Sequence, residues 1–194
     1  MFYLIRDTGF RTNRYASKDL SFEGIDYNTC SLCNRKIANF RYRNNIHELI
    51  LEGGKRIPDK LQFCGAGRRL FLVSEAVIRA IESFHISGVL NYSPVILNPS
   101  TKDMPYYSID VSGEIELSLS NMALKKKNYC PQCTQFEWNR KGFPQLCLDA
   151  SSWNGQDICI VKSVPGYFVC TSKFAKLIEE HGFTGFDLLK VSHI

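Results

Sequence analysis

Two stretches of this chain lie over one another without a gap, and no other feature restricts its fold so strongly. Residues 61–89 (LQFCGAGRRLFLVSEAVIRAIESFHISGV) align with 158–186 (ICIVKSVPGYFVCTSKFAKLIEEHGFTGF), matching Ser74 to Thr171 and Gly88 to Gly185 at a constant offset of 97 positions. Phe71/Phe168, Ile81/Ile178 and Glu82/Glu179 are identical in that register, and Arg79/Lys176, Val77/Phe174 and Ser87/Thr184 are similar. The pattern reads as a weak internal repeat. Chance resemblance of two ordinary strand–helix units is the competing reading.

Each copy reads as two short strands and a helix. Apolar residues dominate 61–64 and 158–161, turns follow at Gly65-Ala66-Gly67 and at 163–166, and a second apolar run leads into the helix. Ser74 and Thr171 stand at the N-cap, where a hydroxyl accepts a bond from an unpaired first-turn N–H. Val77, Ile81 and Phe84 share one helical face, as do Phe174, Leu177, Ile178 and His181. Gly182 is placed just past the helix end, where positive φ costs least.

At 194 residues the chain is long enough for a sizeable core, and its 44% hydrophobic and 22% charged residues are those of a globular protein. Arg6 and Asp7 follow only a few apolar residues, so no secretory leader is read, and no run approaches the ~18 apolar residues of a membrane span. The cytoplasm is the expected compartment, and there the eight cysteines stay reduced. The formal charge of +5 falls to +3 once four thiolates and one Zn²⁺ are counted. That mild balance speaks against a nucleic-acid partner.

In chain order, 1–5 reads as a first strand, 6–24 as polar and irregular, and 46–51 as a strand before the turn Glu52-Gly53-Gly54-Lys55. Pro94, Pro99 and Pro105 exclude a long helix between the copies. From 109 to 119 apolar and polar residues alternate, as in a half-exposed antiparallel strand or a hairpin turning at Ser112-Gly113.

Cys30/Cys33 and Cys130/Cys133 each have the C-x₂-C spacing, and each pair precedes one copy. Their offset of 100 against 97 asks for one small insertion. Two thiolates on one turn grip a metal ion from one side, and a second turn completes a tetrahedral sulfur shell that favours zinc. The four cysteines are therefore the candidate ligands of one structural zinc that joins the halves. A redox C-x-x-C and simple packing are the alternatives. Cys64, Cys147, Cys159 and Cys170 sit singly in apolar runs, as small hydrophobes do.

The fold class expected is α+β: two pseudo-repeated strand–strand–helix–strand halves, 1–97 and 98–194, joined by a shared four-cysteine zinc site in one compact unit. No catalytic residues are nominated. His47, His85, His181 and His193 share no protease spacing, and Gly65-Ala66-Gly67 lacks the remaining glycine of a phosphate loop. The chain therefore reads as a non-enzyme. Arg35, Lys36, Arg41, Arg43 and 125–127 flank the cysteine turns, either as a solvated rim or as one basic patch. With Phe40 and Tyr42 as stacking groups they define a second function, a zinc-ribbon nucleic-acid binder.

Two C-x₂-C turns about a hundred residues apart, followed by the terminal unit FVCTSKFAKLIEEHGFTGFDLL, resemble the bacterial double-CXXCG motif proteins, which include immunity proteins of polymorphic toxin systems. The resemblance is strongest over 146–189 and elsewhere rests on the Cys30/Cys33 turn and the order of elements. It implies a cytoplasmic antidote that binds and neutralises a cognate toxin, with Cys30, Cys33, Cys130 and Cys133 as the motif cysteines. It specifies neither the toxin-binding residues nor the oligomeric state. The family glycine after each second cysteine is Asn34 and Thr134 here. Asn tolerates positive φ, and the β-branched Thr does so poorly.

Overall fold

The computed structural model describes residues 1–7, 13–43, 46–63, 70–99, 104–119, 126–133, 137–138, 146–162 and 166–194. Its elements in the first half are β1 (Phe2–Asp7), β2 (Arg14–Asp19), β3 (Phe22–Thr29), β4 (Lys36–Tyr42), β5 (Glu48–Gly53), β6 (Lys60–Leu61), β7 (Phe71–Ser74), α1 (Glu75–Ser83) and β8 (Val89–Asn98). There follow β9 (Tyr106–Val111), β10 (Gly113–Leu117), β11 (Lys126–Lys127), β12 (Glu137–Trp138), β13 (Cys147–Asp149), a 3₁₀ turn (Ala150–Ser152), β14 (Ile158–Val161), β15 (Phe168–Thr171), α2 (Ser172–His181) and β16 (Phe186–His193). The fold is mixed and sheet-rich, an α+β architecture. No helix among the described residues is long and apolar enough to cross a membrane.

One sheet has the strand order β2-β5-β8-β9-β7-β6, and a closed barrel has the order β10-β13-β16-β1-β15-β14, with β14 returning to β10. Neighbouring strands keep the same senses in both: antiparallel, parallel, then antiparallel three times. Where β14 closes on β10 in parallel, the other sheet has an isolated parallel bridge, Ala16 to Phe63. Strand membership crosses the 97/98 division. β1 lies between β15 and β16, and β9 lies between β7 and β8. Each half therefore contributes one strand to the other's sheet, and Phe71 faces Ile109 as Phe168 faces Ile5.

Periodicity explains which side chains go inward. In β10 the buried Ile115 and Leu117 alternate with half-exposed Glu114 and Glu116, and in β5 Leu49 and Leu51 alternate with Glu48 and Glu52. Leu117 and Leu148 belong to the core cluster of the barrel strands, while Leu49, Leu72 and Tyr106 belong to a separate cluster on the six-stranded sheet. A third core lies between the two sheets and takes Val77, Ile78, Ala80 and Ile81 from α1 with Phe174, Ala175, Leu177 and Ile178 from α2. There Phe71 and Phe168 stack at 4.9 Å between ring centroids. Each fully buried side chain of this size contributes about 1.5–3 kcal/mol.

Several local expectations are revised. The stretch 6–24 is not irregular throughout, because it holds β2 and the start of β3. The alternating run 109–119 is no hairpin: β9 and β10 part at Ser112, whose N–H bonds to Gly88 O at 2.9 Å, and enter different sheets. Phe84 and His181 lie exposed at the helix ends with rings 5.2 Å apart rather than on buried faces. Gly182 does end α2, at φ +64°. The turn at 65–67 and most of that at 163–166 lie outside the described residues.

Ser74 and Thr171 do occupy the N-cap positions in extended conformation, yet neither hydroxyl bonds its own helix. Ser74 Oγ donates to Asp59 Oδ1 at 3.0 Å, and Thr171 Oγ1 donates to Asp157 Oδ1 at 2.8 Å. The second oxygen of each carboxylate is held from the opposite half. Thr184 N–H and Oγ1 reach Asp59 Oδ2 at 2.9 and 3.0 Å, and Ser87 N–H and Oγ reach Asp157 Oδ2, both at 3.0 Å. Lys60 N–H bonds to Thr184 O at 3.0 Å as Ile158 N–H bonds to Ser87 O at 3.1 Å. Lys60 faces Val73 and Ile158 faces Cys170, so these two strands correspond with an offset of 98, one residue from the gap-free alignment.

Burial opposes the charge of Asp157, but the Ser87 N–H, the Thr171 and Ser87 hydroxyls and the Lys173 ammonium outweigh it and hold the pKa below the ordinary carboxylate value. A lowered folded pKa means that the stabilisation is complete above the unfolded value, near 4, and is lost as pH falls through the folded one. Asp157→Asn is expected to cost about 1.5–3 kcal/mol at pH 7 by urea unfolding. The difference from wild type should shrink on acidification below about pH 4. A pH-independent difference would exclude the carboxylate as its source.

Candidate metal centre

β3 and β4 form a ribbon from Phe22↔Tyr42 to Thr29↔Lys36, and the Cys30 turn closes its tip. Cys30 N–H bonds to Arg35 O and Asn34 N–H to Cys30 O, both at 2.9 Å. Asn34 sits at φ +56°, a left-handed position that Asn tolerates better than most residues do. β11 and β12 pair through Lys126↔Trp138 and Lys127↔Glu137, and Cys130 and Cys133 lie in the turn between them. Thr134 lies outside the described residues.

The two tips meet. Arg35 Nη2 donates to Asn128 O at 2.5 Å, and the Gln132 amide lies 3.0 and 3.1 Å from Ser31 Oγ. Cys30 Sγ is 3.8 Å from Cys130 Sγ, and Cys33 Sγ is 3.6 Å from Cys133 Sγ. All four sulfurs lie within 4.8 Å of one another. Tetrahedral zinc with Zn–S near 2.3 Å requires sulfur separations of about 3.8 Å, so the cluster fits such an ion with little movement. The sequence-nominated ligands are thus brought together, and they are compatible with a metal such as zinc.

The electrostatics of the metal-free thiols are uneven. Backbone N–H groups of Cys133 and Gln132 bring Cys130 down to about 6, and those of Cys33 and Leu32 lower Cys30. At Cys33 the Arg35 amide pulls the pKa down, but burial and the neighbouring sulfurs prevail and push it up to about 12. Cys30 and Cys130, one sulfur per turn, are thus shifted toward the thiolate, and a cation would offset the repulsion that holds the proton on Cys33. Four sulfur ligands leave no open coordination position, which suits a structural role and not hydrolysis.

The other nominated residues that are described run along the β3–β4 ribbon away from this centre. Arg41 Nε pairs with Asp26 at 3.0 Å, Arg43 Nε lies 3.9 Å from Glu23, and Lys36 Nζ lies over the Tyr27 ring at 5.7 Å. Phe40 and Tyr42 both contact the Phe22 ring. Lys125 and Cys64 lie outside the described residues, and 126–127 are placed by backbone pairing. Cys147, Cys159 and Cys170 are buried in cores, and burial pushes the Cys159 thiol up to about 11. His85, His181 and His193 stand apart.

Sequence reasoning missed one polar pair. Asp19, buried, shares a 2.5 Å hydrogen bond with His47 Nδ1 and accepts from Ser21 N–H and Oγ at 2.9 and 2.6 Å. The partners are separated by 28 residues and follow no motif, so only the β2–β5 pairing brings them together. No protein-family model matches the chain, and no curated protein matches it.

Proposed function

We propose that this chain is a non-catalytic binding protein built from two copies of one unit, 1–97 and 98–194, and locked by a single structural zinc on Cys30, Cys33, Cys130 and Cys133. Its partner is a cognate toxin, which it neutralises by covering a surface of it. The observation that carries the reading is the meeting of two C-x₂-C turns from separate hairpins with sulfur spacing suited to a tetrahedral ion. The matched strand orders, the exchanged β1 and β9 and the reciprocal Asp59 and Asp157 contacts support duplication. The immunity role rests on the family resemblance, which supplies the partner's class.

Production of this chain alongside the toxin encoded beside it, in cells that the toxin otherwise kills, is expected to restore growth. The two proteins are expected to co-purify one to one. Continued killing by an active toxin would reject the immunity role while leaving the zinc clamp to its own test.

A zinc-ribbon nucleic-acid binder is the second reading, favoured by the exposed Phe40 between Lys36 and Arg41. Acidic partners already face Arg41 and Arg43, which reduces the charge available to phosphates. It predicts affinity that falls steeply with salt.

A further inference from the structure

Resting on the immunity reading, we infer that the toxin docks on one face of the β3–β4 arm, through an aromatic strip carrying a single lysine. The matching toxin surface is apolar with a carboxylate opposite Lys36. In this ribbon the pairs Phe22↔Tyr42, Ile25↔Phe40, Tyr27↔Ala38 and Thr29↔Lys36 share one face. The other face carries Asp26, Asn28, Asn39 and Arg41 with one apolar residue, Ile37, and Asp26 and Arg41 on it pair at 3.0 Å. One side of the arm is thus the more apolar, and two of its aromatic rings stand exposed: Tyr27 is 55% exposed and Phe40 40%. Ala38, small and exposed, pairs with Tyr27.

Apolar strips of this kind on a projecting element mark interaction surfaces. This one is held in shape at both ends, which lowers the ordering cost of binding. At the tip stands the cysteine cluster. At the root Arg43 N–H bonds to Ser21 O at 2.7 Å, and the Tyr42 ring meets edge-on the His47 that Asp19 holds. The Asp19–His47 pair, with its carboxylate buried, thereby positions the base of the strip.

The ring geometry favours a protein over a nucleic acid. Lys36 covers the Tyr27 ring, and Phe22 and Phe40 meet at a 49° tilt, so neither pair offers the open parallel platform that bases stack upon. Lys36 is the one charged side chain on the face, which calls for one carboxylate rather than a row of phosphates.

The test compares wild type with Tyr27→Ser/Phe40→Ser, with Lys36→Glu, and with Leu90→Ser/Ile96→Ser, which removes exposed apolar groups from β8 instead. The arm variant should keep its metal and its melting temperature and lose about 100-fold in affinity for the toxin encoded beside the gene, with loss of protection. Lys36→Glu should lose about 10-fold. The β8 variant should protect as wild type does. Full protection by the arm variant would overturn the surface while the immunity role stands, as would loss confined to the β8 variant. Salt-steep binding of a short fluorescent oligothymidylate, abolished in the arm variant, would also overturn it in favour of nucleic acid. Failure of wild type against an active toxin would remove the immunity role and this surface together.

Discussion

Cys130→Ser is expected to abolish zinc binding. Wild-type protein purified without added metal should carry one zinc per chain by elemental analysis, and the variant close to none. Cys130 is 3% exposed and its sulfur lies 3.8 Å from that of Cys30, so a serine oxygen there is a poor ligand held in the same place. The ion would join two hairpins that also meet through Ser31 with Gln132 and Arg35 with Asn128. Structural zinc binds small domains with apparent free energies of about 10–16 kcal/mol. Three apolar cores hold the rest of this chain without it, so only part of that energy should appear in stability. A loss of about 3–4 kcal/mol, or about 10 °C in melting temperature, is expected. A chelator should reproduce this in wild type and add nothing in the variant.

Two controls separate a clamp from packing. Cys147→Ser changes a buried thiol outside the cluster and should leave the metal in place. Acid should expel the ion, because protons compete for thiolates. Backbone N–H groups bring Cys130 down to about 6 while burial and neighbouring sulfurs push Cys33 up to about 12, so filling the site at neutral pH must release protons and affinity must fall as pH is lowered. Metal-free wild type, refractory to added zinc, would return the four cysteines to packing and separate the two halves of the proposal.

The legible parts of this molecule are local ones. Each C-x₂-C turn is contained in four residues, and the helices α1 and α2 show the 3.6-residue spacing of Val77/Ile81 and Phe174/Ile178. β2 stayed hidden because Ala16 and Asp19 are its buried residues, and neither marks an apolar strand. β3 and β4 stayed hidden because an arm exposed on both faces carries no buried alternation. Ser74 and Thr171 do stand at the N-caps that the local sequence marks, but the carboxylates just before β6 and β14 compete for hydroxyls there, and such partners leave no local trace. The exchange of β1 and β9 is of the same kind. Phe2-Tyr3-Leu4-Ile5 and Tyr106-Tyr107-Ser108-Ile109 occupy matched registers against β15 and β7, yet each lies too far along the chain from the copy it pairs with for the repeat to include it.

Gly88→Ala and Gly185→Ala are each expected to cost about 3–5 kcal/mol, near the upper end for single substitutions. Both glycines have φ in the left-handed half, +98° and +87°, where an L side chain is strained. The larger cost is steric. A Cβ on Gly185 would stand 2.2 Å from Lys60 O and 2.9 Å from Pro58 Cβ, and one on Gly88 would stand 2.2 Å from Ile158 O and 2.9 Å from Ile158 N. The closest obstructing atoms are backbone, and that backbone is tied down: Lys60 and Ile158 are paired in β6 and β14, and their N–H groups bond to Thr184 O and Ser87 O, one residue before each glycine. Relief of the clash would break those bonds and draw Asp59 from Thr184, or Asp157 from Ser87, loosening the junction between the sheets. Gly182→Ala is the control, because its φ of +64° carries similar backbone strain while nothing lies within 4 Å of the added methyl. That variant should lose only about 1 kcal/mol. Urea midpoints at constant m-value report all three. Since the two junctions hold the same pair of sheets, the double variant should be less destabilised than the sum of the singles. Equal, small losses at 182, 185 and 88 would mean that the close approach of the two halves at these glycines does not exist.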